Sequence, residues 1–253
     1  YCIDNNSLNE EVIIQIVKGS EPAEIRFDHL ILHGVNGKSI MARTANQQKL
    51  VKDFSTHDLL FAIGPAGSGK TYTAIALAVK SLKSKVIRKI ILSRPAVEAG
   101  EKLGFLPGDM KEKIDPYLQP LYDALQDMIT PLKLKEYLEN GTIQIAPLAF
   151  MRGRTLSDAV VILDEAQNTT TQQIKMFLTR MGKNARCVVT GDPSQIDLPN
   201  FKKSGLLIAL DVLQGIEGIS VARLGREDVV RNDLVGRIVS AYEDYETREA
   251  NDA

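Results

Sequence analysis

The sequence predicts an α/β fold, a parallel sheet covered by helices on both faces, and three observations predict it. From about residue 41 onward, β-type runs alternate with helical patterns, the signature of crossover connections between parallel strands. The β-type runs are apolar nearly throughout, as strands buried on both faces must be. A glycine-rich loop, Gly64-Pro65-Ala66-Gly67-Ser68-Gly69-Lys70-Thr71, joins one such run to a helical pattern.

Taken in order, residues 1–40 read as a small β appendage, with β-type runs at 12–17 and 25–32 separated by the turn formers Lys18-Gly19-Ser20-Glu21-Pro22. Gly34-Val35-Asn36-Gly37-Lys38 reads as a further turn, and the polar stretch 43–49 leads into the main domain, residues 41–253. Strands are expected at 59–63, 89–92, 142–145, 159–163, 186–190 and 219–224. Helices are expected at 71–84, at 132–139 stopped by Asn140-Gly141, at 171–181 stopped by Gly182, at 205–213 and at 234–245.

Composition narrows the function classes. With 44% hydrophobic and 25% charged residues in 253, the chain has the balance of a globular domain, not of a disordered or coiled-coil sequence. Its formal charge of −1 excludes nucleic-acid binding by bulk charge, so any such site must be local. Two cysteines make neither a disulfide framework nor a metal pair, which suits a reducing cytoplasm. No apolar stretch reaches the roughly 18–20 residues of a membrane span, so no membrane partner is expected.

The glycine-rich loop matches G-x-x-x-x-G-K-[ST] in the context its chemistry needs, after a strand and before a helix. Its glycines let successive backbone N–H groups face one anion, and the helix N-terminus adds partial positive charge. Lys70 is expected on the β- and γ-phosphates of ATP and Thr71 on Mg²⁺. Residues 159–163 then end in Asp164-Glu165, at the strand end where ligands of open α/β sheets collect. Asp164 is the candidate Mg²⁺ holder, and Glu165 the candidate for orienting and deprotonating an attacking water; a helix-capping acidic pair is the alternative. One strand later comes Gly191-Asp192-Pro193-Ser194-Gln195, where the amide of Gln195 suits sensing the third phosphate, although Asp-Pro-Ser alone would read as an ordinary turn. Together these predict a P-loop NTPase, with a RecA-like sheet as the expected architecture.

With those motifs in hand the chain resembles PhoH-family ATPases, relatives of the superfamily 1 helicase core, from about residue 44 to 242. The resemblance is also carried by Ser93-Arg94-Pro95-Ala96-Val97-Glu98-Ala99-Gly100-Glu101, by Asp115-Pro116-Tyr117-Leu118, by Phe150-Met151-Arg152-Gly153-Arg154-Thr155, by Gln195-Ile196-Asp197-Leu198-Pro199 and by Asp228-Val229-Val230-Arg231. It implies that Gln47 contacts adenine, that Gly64 to Thr71, Asp164, Glu165 and Gln195 form the ATP site, and that Arg231 is an arginine finger, with Asn232 standing where the family has His. It further implies work on RNA. A superfamily 1 helicase closes two RecA-like domains over one nucleotide, whereas this chain carries one phosphate loop; the expected active form is a homo-oligomer, a ring such as a hexamer.

A small-molecule kinase and a nucleotide-switched binding module remain as rivals. Arg152 and Arg154, flanking Gly153, are candidates for nucleic-acid contact or a subunit contact, with solvated surface charge as the default. The basic cluster Lys80, Lys83, Lys85, Arg88 and Lys89 reads more simply as a solvated helix end, and His29 and His33 as structural.

Overall fold

The computed structural model describes residues 29–95, 110–198 and 204–229, with side chains from residue 117 onward in the second stretch. The expected strand at 12–17, the helix at 234–245 and Arg231 lie outside the described residues. Two short strands, β1 (Leu30–His33) and β2 (Ser39–Met41), pair antiparallel across a turn centred on Val35–Gly37. Six further strands form one parallel sheet: β3 (Leu59–Ile63), β4 (Lys89–Arg94), β5 (Ile143–Pro147), β6 (Ala159–Leu163), β7 (Arg186–Gly191) and β8 (Ile219–Arg223), in the spatial order β5-β4-β6-β7-β3-β8.

The period of two along these strands divides the core into two layers. Leu60, Ala62, Ile90, Leu92, Val160, Ile162 and Val188 face one layer. Against them pack α1 (Ala45–Thr56), α2 (Lys70–Lys83), α3 (Met110–Met128) and α4 (Pro131–Glu139). Ile31, Leu32, Ile40 and Ala42 belong to the same layer, so the β1–β2 pair is sealed onto the helical face of the main core. Leu59, Phe61, Ile63, Ile91, Val161, Leu163 and Val189 face the other way, covered by α5 (Thr171–Leu178), α6 (Gly205–Val212) and the short 3-10 turn Leu148–Met151.

Strands β3 and β6 have the bounds the sequence predicts, while β4 runs two residues further, to Arg94. Helix α5 ends at Leu178 instead of residue 181, its last turn closed by the Thr179 N–H on Lys175 and Phe177 carbonyls. Two helices were not expected. The polar lead-in at 43–49 is in fact the start of α1, capped by Thr44, whose hydroxyl accepts from the Gln47 N–H at 3.2 Å. Its buried side is thin, Leu50 and Phe54 with Gln47, which kept the helical period faint. Helix α3 contains Pro116 and Pro120, residues that argue against a helix interior because they lack the N–H of the ladder.

Candidate functional site

The site grows from strand ends set by register, with β3, β7 and β8 ending two residues beyond the level of Leu163 in β6. Ile63 of β3 lies beside Gly191 and Arg223, Leu163 of β6 beside Val189 and Ser93, and Arg94 beside Pro147. The residues that follow these ends therefore share one edge of the sheet, the carboxyl edge. From β3 the chain turns at Gly64, where the N–H donates to the Gly191 carbonyl at 3.1 Å and an added Cβ would lie 2.2 Å from the Leu224 carbonyl oxygen. At Gly69, φ of +81° brings the chain into the first turn of α2, a conformation that favours glycine.

The loop between them is braced from both sides. Gln47 Nε2 donates to the Ser68 carbonyl at 2.9 Å while its Oε1 accepts from the Arg43 N–H at 2.8 Å. On the other side, Asp192 Oδ2 accepts from the Ala66 N–H at 3.1 Å. Lys70 Nζ curls back to donate to the Gly64 and Pro65 carbonyls at 2.6 and 2.7 Å. Loop backbone, lysine and the amino end of α2 thus present positive potential to one small volume.

Asp164, only 4% exposed, closes that volume from below. Its N–H donates to the Ser93 carbonyl at 2.8 Å, and its Oδ1 accepts from the hydroxyls of Thr71 and Thr190, each at 2.6 Å. Glu165 follows with φ of +54° and ψ of 39°, a left-handed conformation that costs a non-glycine residue about 1–2 kcal/mol. The turn directs its carboxylate between two donors, with Oε1 3.0 Å from Arg94 Nη2 and Oε2 accepting from Gln167 Nε2 at 2.5 Å. Arg94 spans the acids, its Nε 3.7 Å from Asp164 Oδ2 and its Nη1 donating to the Tyr117 carbonyl at 2.7 Å. Gln167 in turn accepts from the Asp192 N–H at 3.1 Å, which links the acidic strand end back to the loop brace.

These groups surround a cleft of about 230 Å³ lined by Ala66, Gly67, Gly69, Lys70, Thr71, Asp164, Glu165, Asp192 and Gln195. A second hollow of about 510 Å³ shares Thr71, Tyr72, Asp164 and Glu165 and extends past Arg94 toward Asp127. There burial, and then the hydrogen bond to Asp127 at 3.0 Å, push the Tyr72 hydroxyl up to about 12, so it stays a donor. Thr71 and Asp164 offer hard oxygen donors side by side, the set that suits Mg²⁺ with substrate phosphates.

Of the residues singled out from sequence, Gly64 to Thr71, Asp164, Glu165 and Gln195 converge here. Gln47 sits behind the loop with both ends of its amide engaged by backbone. Arg231 lies outside the described residues. Arg94, Thr190, Gln167 and Asp192 carry no role in the sequence reading, although a signal exists: each polar residue at or just beyond the carboxyl end of an apolar parallel strand is a candidate for the crevice.

The family described as PhoH-like protein matches residues 39–243. The chain is 53% identical over 241 residues to the PhoH-like protein of Bacillus subtilis (strain 168), covering 93% of this chain and 76% of that one. It is 52% identical over 236 residues to the PhoH-like protein of Mycobacterium leprae (strain TN), covering 93% and 67%. Among solved structures, the large terminase from a thermophilic bacteriophage aligns with a TM-score of 0.43 at 13% identity, over 77% of this chain and 49% of that one.

Proposed function

This chain belongs to the PhoH-like protein family, and on that premise we propose that it binds Mg-ATP at the loop around Lys70 and hydrolyses it. The observation that carries the reading is the Thr71–Asp164 hydrogen bond, which joins the phosphate loop to the acidic end of β6 at 2.6 Å. Loop N–H groups and the start of α2 would hold the phosphates, and Lys70 would exchange its two carbonyl partners for phosphate oxygens. Thr71 and Asp164 would hold Mg²⁺, which when bound neutralises charge on the phosphates.

Hydrolysis needs a water in line with the γ-phosphorus. Its oxygen bonds to phosphorus as the bond to the bridging oxygen of ADP breaks, and Glu165 takes the proton. Arg94 and Gln167 fix the direction of the Glu165 carboxylate, and Gln195, on the same cleft, would donate its amide to a γ-oxygen. The proposal extends to RNA as the polymer that turnover acts on, and to a second copy of the chain supplying Arg231.

The test is phosphate release by the wild-type chain and Lys70→Ala, measured alone, with RNA, with DNA and with a panel of metabolites. Removing one charge-assisted phosphate contact, about 1.5–3 kcal/mol, should weaken ATP binding roughly 10- to 150-fold, and hydrolysis should vanish. Unchanged turnover in Lys70→Ala would overturn the assignment. Metabolite-dependent turnover would point to a kinase instead, and ATP binding without turnover under any addition to a switch.

A further inference from the structure

We propose that Phe150 and the arginines around the turn after it form a docking surface for a single nucleic-acid strand, the ring stacking on a base and the guanidinium groups taking phosphates. Phe150 stands just beyond the carboxyl end of β5, on the same sheet edge as the phosphate loop, and is 59% exposed. It is displayed, not loose, because Leu148 and Met151 on the same 3-10 turn are buried in the core under α5. Directly after it come Arg152, exposed, and Arg154, whose N–H closes the turn on the Met151 carbonyl at 3.4 Å and whose Nη2 donates to Gln144 Oε1 at 2.5 Å. The chain then meets the end of α5, where the Leu156 N–H donates to the Arg180 carbonyl at 2.9 Å. The buried Nε of Arg180 has no hydrogen-bond partner among the described residues, while its Nη2 donates to Thr179 Oγ1 at 3.3 Å.

None of these three arginines is in an ion pair among the described residues, whereas Arg94 on the same sheet edge is paired with both Asp164 and Glu165. Arginines without an ion pair among the described residues, on and against the turn that displays an aromatic ring, fit a ligand that is anionic along a backbone and presents flat faces. A duplex hides those faces, so the ligand is single-stranded. A protein partner would ask for a contiguous apolar patch, but the other large exposed apolar side chains among the described residues, Val86, Leu132, Val212 and Ile216, sit on other elements. The surface also adjoins the acidic pair, because Pro147 at its base pairs with Arg94, the residue that holds Glu165. The inference rests on the proposed ATPase only for this link, since strand binding itself needs no nucleotide.

The test is fluorescence anisotropy with labelled RNA and DNA single strands of one sequence, without nucleotide, over a salt series. Phe150→Ala should weaken binding about 5- to 140-fold, one base stack, and Phe150→Leu should do nearly the same, while Phe150→Trp should restore it. Arg152→Ala should lower the slope of log affinity against log salt by about 0.7, one phosphate contact. A preference for RNA over DNA would mean that 2′-hydroxyls are read as well; equal affinity would leave the strand recognised by base faces and phosphates alone. Lys70→Ala should bind strands like the wild type, so failure of the ATPase reading leaves this measurement intact. Wild-type strand affinity in Phe150→Ala and Arg152→Ala refutes the surface, and a changed self-association in Phe150→Ala with unchanged strand binding assigns the face to a second copy instead.

Discussion

Replacing Asp164 by Asn separates the structural work of this carboxylate from the metal binding proposed for it. In the folded chain its Oδ1 accepts from Thr71 and Thr190 at 2.6 Å each, and the side chain is nearly sealed from water. Asparagine keeps an acceptor oxygen for both hydroxyls but loses the charge and turns Oδ2, 3.7 Å from Arg94 Nε, into a donor. The cost is the difference between charge-assisted and neutral hydrogen bonds, about 1 kcal/mol each and about 2 kcal/mol together. For a domain of this size that lowers Tm by roughly 4–8 °C. Alanine removes the shared acceptor and leaves the two hydroxyls only their 3.4 Å contact with each other, which should cost about 1–3 kcal/mol. In the wild type, ATP with Mg²⁺ at a hundredfold excess over Kd should add about 2.7 kcal/mol, roughly 5–11 °C. In Asp164→Asn the Mg²⁺-dependent part of that shift should disappear while a shift with ATP and EDTA survives. Thermal melts with ATP, with and without Mg²⁺, read both effects. A full Mg²⁺-dependent shift in the Asn variant, or an Ala variant as stable as the wild type, would refute the reasoning.

Glu165→Gln should bind ATP with near-normal affinity and lose turnover by about 10²–10⁴, the size of a general-base contribution; normal hydrolysis, or loss of binding, would remove its assigned role. Acid should loosen the joints around α1 and α3. Burial pushes Asp53 upward but hydrogen bonds from Lys49 and Ser220 outweigh it, burial at Asp228 is likewise outweighed by Thr44, Asn46 and the Gly225 N–H, and Lys38 leads in lowering Asp127. All three titrate below the ordinary 3.8 in the folded chain, so their stabilisation is complete above that value and lost as pH falls beneath it. Circular dichroism of an acid titration should show Asp53→Asn with a shallower loss of stability below about pH 4 than the wild type, and identical slopes would remove Asp53 from the account.

How much of this was readable in advance depends on how local each signal is. The loop from Gly64 to Thr71 and the run ending in Asp164-Glu165 are contiguous, so pattern and context could be checked within a dozen residues. Helix α1 has a local signal, though a faint one: Thr44 and Gln47 in the spacing of a capping box, then Leu50 and Phe54 one turn apart. Helix α3 was hidden by the propensity of Pro116 and Pro120, which packing of Leu118, Leu121 and Leu125 into the core overrides. The work of Gln47 as a brace behind the loop had no local signal, because its partner Ser68 is 21 residues away. The same holds for Arg94, which meets Glu165 only because β4 and β6 are neighbours in the sheet.

Register is therefore what turns separate motifs into one site. Ser93 lies beside Leu163 and Leu163 beside Val189, so the next residues, Arg94, Asp164 and Thr190, emerge together at the carboxyl edge. Ile63 lies beside Gly191, two residues beyond Val189, which sets Gly64 and the loop further out along the same edge. From there a chain of bonds runs from the Tyr117 carbonyl through Arg94, Glu165, Gln167 and Asp192 to the Ala66 N–H of the loop. Sliding β6 by one residue against its neighbours would carry Asp164 about 3.3 Å along the strand and turn its side chain to the opposite face. At that displacement neither hydroxyl at 2.6 Å survives, and the alternation that buries Val161 and Leu163 on one face and Val160 and Ile162 on the other is reversed. Because β6 is apolar on both faces, that exchange alone would still bury apolar side chains; the register is told apart by Asp164, whose charge a slip would carry away from its two hydroxyl partners.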